Sequence, residues 1–311
     1  MAVNKNGIVV MGAVFVDIKG FPDDVYIPDG RNAGKVEYIH GGVSRNVVED
    51  IANMELRPTF LSIVDESAMG DAVVRKLNNH KVNTEYIQSA PNGMGTWLAV
   101  FDNNGDLAGS ISQRPDLMPL LGVLEKKGDE IFANADSIII EVDVDKEIVK
   151  KVVELCEKHQ KKLYGVVSNM SIAVERRDFL QKFDCFICNQ LEAGMFFADD
   201  FSETAPKELA EILAKKLQLA KIPSMVVTMG GAGSVYADMK GKKGFCPAKK
   251  VQVKDTTGAG DAFCAGVSSG LTYGKTLAES VEIGTRLAAS VITSSENVCP
   301  RFLPGELGIE A

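Results

Sequence analysis

The sequence is short of the groups from which several kinds of protein are built. Its 311 residues hold three histidines, six cysteines and one tryptophan. His40, His80 and His159 are scattered and the last two sit in polar, solvated surroundings, so neither a metal cage nor a Ser-His-Asp triad has its parts. The cysteines come without a secretion signal and read as free thiols of a reducing cytoplasm. Cys185 and Cys188 form a CxxC inside an apolar strand pattern, where side chains three apart face opposite ways; joint metal binding or redox pairing is not expected. No apolar run reaches the roughly 18 to 20 residues that span a bilayer. The first such stretch, 8–16, runs straight into Asp17 and Lys19 without a cleavage pattern, so it reads as a buried strand. Positive charge is also in deficit: 34 Lys and Arg stand against 42 Asp and Glu, a net charge of −8 with a pI near 5.1. That balance speaks against a partner bound by phosphate neutralisation, so neither nucleic acid nor membrane is expected.

What is present is ordinary globular material, 45% hydrophobic and 24% charged. The length suits two domains or one large α/β domain with an appendage. Short β-branched runs (7–16, 59–64, 137–142, 162–167, 183–188, 224–229) alternate with helical patterns (42–54, 69–79, 146–159, 208–219, 258–270, 275–290). This alternation is the signature of a parallel sheet with crossover helices. Two segments break the rhythm. Residues 24–40 are extended and mixed in polarity, and 96–101 and 107–111 flank an Asp-Asn-Asn-Gly-Asp turn that signals a hairpin. These strands, drawn from about 24–40 and 95–111, are expected to form a small β lid. With no linker or repeat in sight, 1–311 reads as a single α/β domain with that lid.

The chemistry concentrates in Asp255-Thr-Thr-Gly-Ala-Gly-Asp-Ala-Phe263, read as a strand ending near Val253 that turns into a helix. Small residues at a helix start let free N–H groups close on an anion, and the helix dipole favours negative charge. Asp261 in the first turn would repel a phosphate. It makes sense as a group that takes a proton from a hydroxyl attacking a phosphoryl group; the plain alternative is an Asp that stabilises the dipole. Gly274-Lys-Thr276 is not a Walker A loop, because Ser269 stands where that loop needs Gly.

The string resembles the C-terminal signature of the ribokinase-like (PfkB-type) carbohydrate and nucleoside kinases. Gly41-Gly42 with Asn46, Asn189-Gln-Leu-Glu192 and Val227-Thr-Met-Gly-Gly-Ala-Gly233 resemble that family's other motifs, in order, over essentially the whole chain. The resemblance implies a three-layer α/β sandwich with a mostly parallel sheet and a β lid. It implies Asp261 as catalytic base and Gly258, Ala259 and Gly260 as the anion hole for the γ-phosphoryl of ATP. Asn189 and Glu192 would help hold Mg²⁺ through water, and Thr228, Gly230 and Gly233 would line the nucleotide. Asp17, Gly41, Gly42, Arg45 and Asn46 would bind the acceptor. A monovalent cation such as K⁺ near Asp255 and the 288–295 loop is implied in the same way.

Gly41-Gly42-Val43-Ser44-Arg45-Asn46 is most similar to the pseudouridine kinase subgroup, which implies transfer to the 5′-hydroxyl of pseudouridine. Another sugar or nucleoside kinase is the alternative, and a binder that has lost turnover is the reading from a different class. Tyr164-Gly-Val-Val-Ser168 and Ser112-Gln-Arg-Pro-Asp116 depart from the subgroup pattern. Arg45 reads either as a solvent-facing helix residue or as a contact to a uracil carbonyl or an acidic lid partner. Trp97 reads as a stacking platform or as lid packing. Lid strands with open edges often need a partner, so a homodimer through the lid is a further expectation.

Overall fold

The computed structural model describes residues 6–310. β1 (Gly7–Met11) begins the body, and β2 (Phe15–Pro22) and β3 (Gly34–Gly41) leave it for the lid. The chain re-enters through α1 (Val43–Asn53), β4 (Thr59–Val64), α2 (Ala68–Asn79) and β5 (Ile87–Ser89). β6 (Gly95–Phe101) and β7 (Leu107–Gln113) complete the lid. The alternation resumes with α3 (Pro119–Asn134), β8 (Ala135–Glu141), α4 (Lys146–His159) and β9 (Lys162–Val166). Two single-turn helices, α5 (Met170–Ala173) and α6 (Arg177–Leu180), precede β10 (Cys185–Asn189), α7 (Gln190–Phe197), α8 (Pro206–Ala220) and β11 (Ser224–Thr228). β12 (Ser234–Asp238), β13 (Lys243–Cys246), α9 (Ala259–Thr272) and α10 (Leu277–Val291) follow.

Nine strands make one sheet in the order β13-β12-β11-β10-β9-β8-β1-β4-β5. It is parallel from β5 to β11 and antiparallel only at β12 and β13. Its central strands are apolar on both faces, as a sheet covered twice requires. On β8, Ile138 and Ile140 belong to the core on the face covered by α3, α4 and α8, and Ile139 to the core on the face covered by α1, α9 and α10. Cys185 and Cys188 divide between the same two cores, so the CxxC pair does face opposite ways. The three layers are helix, sheet and helix.

The lid is a four-stranded sheet in the order β3-β2-β6-β7. The hairpin turn forms as read, with Asp102 Oδ1 accepting from the amides of Asn104 and Asp106. Other sequence expectations are corrected. The 7–16 run is two strands, because at Gly12 the chain passes so close to Ser44 and Glu141 that a Cβ there would lie 2.2 Å from Ser44 Oγ. The extended reading of 24–40 holds only from Gly34. The stretch before the Gly-rich turn is no strand; Lys254 N–H instead donates to Ile292 O at 2.8 Å.

Candidate active site

The turn ahead of α9 is shaped by Asp255, whose Oδ1 accepts from the amide and hydroxyl of Thr257 at 2.9 and 2.8 Å. Gly258 follows at φ +80°, and a Cβ there would sit 1.9 Å from the Asn297 carbonyl oxygen, so only glycine fits. α9 starts at Ala259 with no side-chain cap; the Ala259 amide donates to Thr256 O at 3.2 Å, which leaves the amides of Gly260 and Asp261 without an intrahelical acceptor. Gly258, Ala259 and Gly260 frame the mouth at the open end of α9, a kind of terminus that favours negative charge.

Asp261 stands at that mouth, enclosed by protein yet open to an adjoining cavity of about 540 Å³. Asn46 Nδ2, on α1, donates to Asp261 Oδ2 at 2.6 Å. Burial pushes the Asp261 carboxyl up to about 7; the Asn46 hydrogen bond and the Arg45 charge oppose the shift, while Asp17 and Glu192 add to it. A carboxyl poised near neutrality is suited to accept a proton. Asn46 Oδ1 is buried with no partner among the described residues, an acceptor left for a hydroxyl of a bound molecule.

The lid supplies the roof. Register pairs Asp17 with Trp97 and Trp97 with Ser112, and all three line the cavity. Burial raises the Asp17 carboxyl, against the opposing charges of Lys19 and Arg45. A Cβ on Gly41 would lie 2.7 Å from both Asp17 carboxylate oxygens, so Gly41 serves by leaving room for them. Gly42, at φ +101°, lines the cavity itself.

Arg45 is placed otherwise than either sequence reading expected. It is 1% exposed and does not line the cavity. Nη1 donates to Glu49 Oε2 at 2.6 Å, Nε to Gly41 O at 3.4 Å, and Nη2 to His40 O. The guanidinium is consumed in holding the end of β3 against α1, and its role as a direct acceptor contact is corrected to one inside the protein. Burial pushes Glu49 up, but Arg45 and Lys76 more than offset it and hold its carboxyl below the usual range.

Two carboxylates in the cavity wall were missed in the sequence. Glu141 accepts from Ser44 N at 2.7 Å and Ala13 N at 3.3 Å; burial and the neighbouring Asp143 push it up to about 8. Asp143 accepts from the amide and hydroxyl of Ser168 and from Arg114 Nη2. Their signal was position: an acidic pair closing an Ile-Ile-Ile strand lies at the carboxyl end of a parallel sheet, where such sheets bind ligands.

A second hollow of about 940 Å³ is lined by Asn189, Thr228 and Gly230. Gly233 is not in its wall; at φ +106° it shapes the turn, and a Cβ would meet Cys246 O at 2.2 Å. Asn189 and Glu192 form a capping box on α7: Asn189 Oδ1 accepts from Glu192 N at 2.8 Å, and Glu192 Oε2 accepts from Asn189 N at 2.7 Å. Burial raises the Glu192 carboxyl, and Asp143 adds to it. Among the described residues no three His, Cys, Asp or Glu side chains gather as a metal cage. Mg²⁺ bound to nucleotide phosphates needs only one or two carboxylates, often through water. Glu192, with Oε1 free of protein donors and Asp143 within electrostatic reach, fits that lesser role.

Comparison with known proteins identifies a family and a shared fold. The model of the pfkB family carbohydrate kinases matches residues 5–299. Guanosine-inosine kinase of Exiguobacterium acetylicum is 35% identical over 294 residues, covering 94% of this chain and 96% of that protein. Pseudouridine kinase of Escherichia coli strain K12 is 24% identical over 278 residues, with 89% and 87% covered. The structure of Arabidopsis thaliana ribokinase complexed with ribose and ATP aligns with a TM-score of 0.83 at 18% identity, covering 97% of this chain and 98% of that one, a likeness of fold.

Proposed function

The chain belongs to the pfkB family of carbohydrate kinases, ATP-dependent phosphotransferases of sugars and nucleosides, and on that premise we propose that its acceptor is a ribonucleoside phosphorylated at the 5′-hydroxyl. Guanosine and inosine are the first candidates, because the relative that carries their names is more similar than the pseudouridine kinase. Pseudouridine is the second, on the Gly41–Asn46 run.

The observation that carries the kinase reading is the Asn46–Asp261 bond, which sets a carboxyl poised near neutrality beside an open helix N-terminus. Asp261 takes the proton of the acceptor hydroxyl as its oxygen bonds to the γ-phosphorus. The bond from that phosphorus to the β-γ bridging oxygen breaks, and ADP leaves. The turn of Gly258, Ala259 and Gly260 faces the charge on the transferring group, with the free first-turn amide of Gly260 donating to it and that of Ala259 held by Thr256 O. Asp17, Gly42 and Asn46 orient the ribose, so most of the rate comes from positioning. Thr228 and Gly230 border the nucleotide, with Gly233 setting their turn. Mg²⁺ would neutralise phosphate charge beside Asn189 and Glu192. A K⁺ site between the Asp255 turn and 288–295, which is the end of α10 and the loop after it, belongs to the same reading, since Asp255 Oδ2 has no donor among the described residues.

No helix among the described residues is long and apolar enough to cross a membrane. The six cysteines are free thiols, in keeping with a cytoplasmic setting. The lid face turned from the cavity exposes Val36, Tyr38, Leu98 and Ile111, an apolar surface suited to a second copy of the chain.

The test is ADP release with ATP and guanosine, inosine, pseudouridine, adenosine, uridine or ribose at equal concentration. A 6-oxopurine nucleoside should give the highest kcat/KM. Ribose ahead by more than about tenfold, roughly 1.4 kcal/mol, removes the nucleoside assignment. ATP consumption with none of them, alongside measurable nucleoside binding, supports the non-catalytic alternative.

A further inference from the structure

Arg114 and Asp145 lie in the same cavity wall, and neither has a part in phosphoryl transfer. Arg114 follows the last lid strand. Its Nη2 donates to Asp143 O at 2.8 Å and approaches Asp143 Oδ2 at 3.3 Å, and the Asp143 carboxylate is itself fixed by Ser168. Nε and Nη1 of Arg114 have no protein acceptor among the described residues, so a planar set of donors is aimed by its anchor and left unspent.

Asp145 is two residues beyond that anchor, at the N-cap of α4. An N-cap carboxylate ordinarily accepts from the first-turn amides. This one makes no cap hydrogen bond. The backbone that carries it is held by Arg176, whose Nε and Nη2 donate to Val144 O at 3.2 and 3.1 Å. A cationic donor and an anionic acceptor, not paired with each other, therefore line one cavity together with the lid residue Trp97.

We infer that Arg114 and Asp145 read the lactam edge of an oxo-base, Arg114 donating to the carbonyl oxygen and Asp145 accepting from the adjacent ring N–H. This rests on the nucleoside reading above. Guanine and hypoxanthine present O6 beside N1–H, and uracil presents O4 beside N3–H. Adenine inverts both positions, with an amino donor against Arg114 and a bare N1 against Asp145. A site built for hydrogen bonds rejects a ligand that leaves its polar groups unpaired more strongly than an apolar pocket rejects a misfit. Arginine is the usual partner of the guanine O6/N7 edge in other settings.

The experiment compares wild type, Arg114→Met and Asp145→Ala on inosine, 1-methylinosine and adenosine, reading kcat/KM for the nucleoside and KM for ATP. Wild type should favour inosine over adenosine and over 1-methylinosine, which lacks the N1–H, by at least about tenfold. Arg114→Met should lose about 10- to 100-fold on inosine, little on adenosine, and leave KM for ATP unchanged. In Asp145→Ala the preference for inosine over 1-methylinosine should vanish. Equal losses on all three nucleosides in both variants, or a wild type indifferent between inosine and adenosine, overturn the inference while leaving the nucleoside kinase intact. A wild type that phosphorylates ribose and no nucleoside overturns the underlying reading instead.

Discussion

Replacing Asn46 by Ala removes the one side-chain hydrogen bond that Asp261 receives among the described residues, at 2.6 Å. A hydrogen bond to a charged group is worth about 1.5 to 3 kcal/mol. At 1.36 kcal/mol per pKa unit, its loss raises the Asp261 carboxyl by about one to two units. The base must be ionised to accept a proton, so activity is present above its pKa and falls as pH drops through it. For the wild type, kcat/KM for the acceptor should fall on the acid side with a midpoint near 7. In Asn46→Ala that midpoint should move to between about 8 and 9, in addition to any loss of acceptor affinity. The pH profile of kcat/KM reports the free enzyme and is the right assay. A variant whose activity drops at every pH while its midpoint stays at the wild-type value would refute the pairing of Asn46 with a titrating base. The same raised pKa has a stability counterpart. The native state holds this proton more tightly than the unfolded chain, so the stabilisation is complete below the ordinary carboxylate range and is lost as pH rises through 7.

Asp261→Asn should cost about 10²- to 10⁴-fold in kcat while calorimetry shows ATP binding retained; turnover near wild type would remove the base assignment. Asp17→Ala should raise KM for the acceptor far more than KM for ATP, since the lid carboxylate faces the cavity it shares with Asp261; equal KM values in both proteins would reduce Asp17 to a structural residue. Leu98→Glu with Ile111→Glu places charges on the apolar lid face and should convert a dimer to a monomer by sedimentation; a wild-type monomer would dispose of the lid interface.

Periodicity revealed the body because strands buried on both faces have little choice of residue, and Lys146–His159 matches its helix to the residue. α3 escaped because a Pro-Leu-Leu-Gly start and an internal Gly128 blur its amphipathic stripe; Gly128 is there to let Leu155 of α4 approach, a fact of packing. β2 escaped for a related reason: its residues continue the apolar run of β1, and the break at Gly12 is set by Ser44 and Glu141, distant in sequence. The motif glycines and Asp261 stood out in the sequence because the turn they build is local to one stretch of chain. Arg45 was not. Its Glu49 partner sits one helical turn away, but the carbonyls of His40 and Gly41 that complete its shell exist only after β3 docks on α1. Glu141 and Asp143 became site residues only when the strand order brought their ends beside α9.

The stitching of α1 to the far end of the chain bears on when activity can begin. Asp50 Oδ1 accepts from Cys299 N at 2.6 Å, Asn53 bonds Cys299 O at 2.7 Å and Phe302 N at 2.8 Å, and Asn297 reaches His40 O. The helix that presents Asn46 to Asp261 is thus clamped by residues made some 250 positions later. Asp261, the proposed proton acceptor, is synthesised before the clamp that steadies its partner. Under the proposed mechanism, a chain not yet extended to residue 302 lacks the clamp on the helix that carries Asn46, and its ATP consumption should wait on that residue. Nascent-chain release at graded lengths should show ATP consumption appearing in one step, after that residue clears the exit.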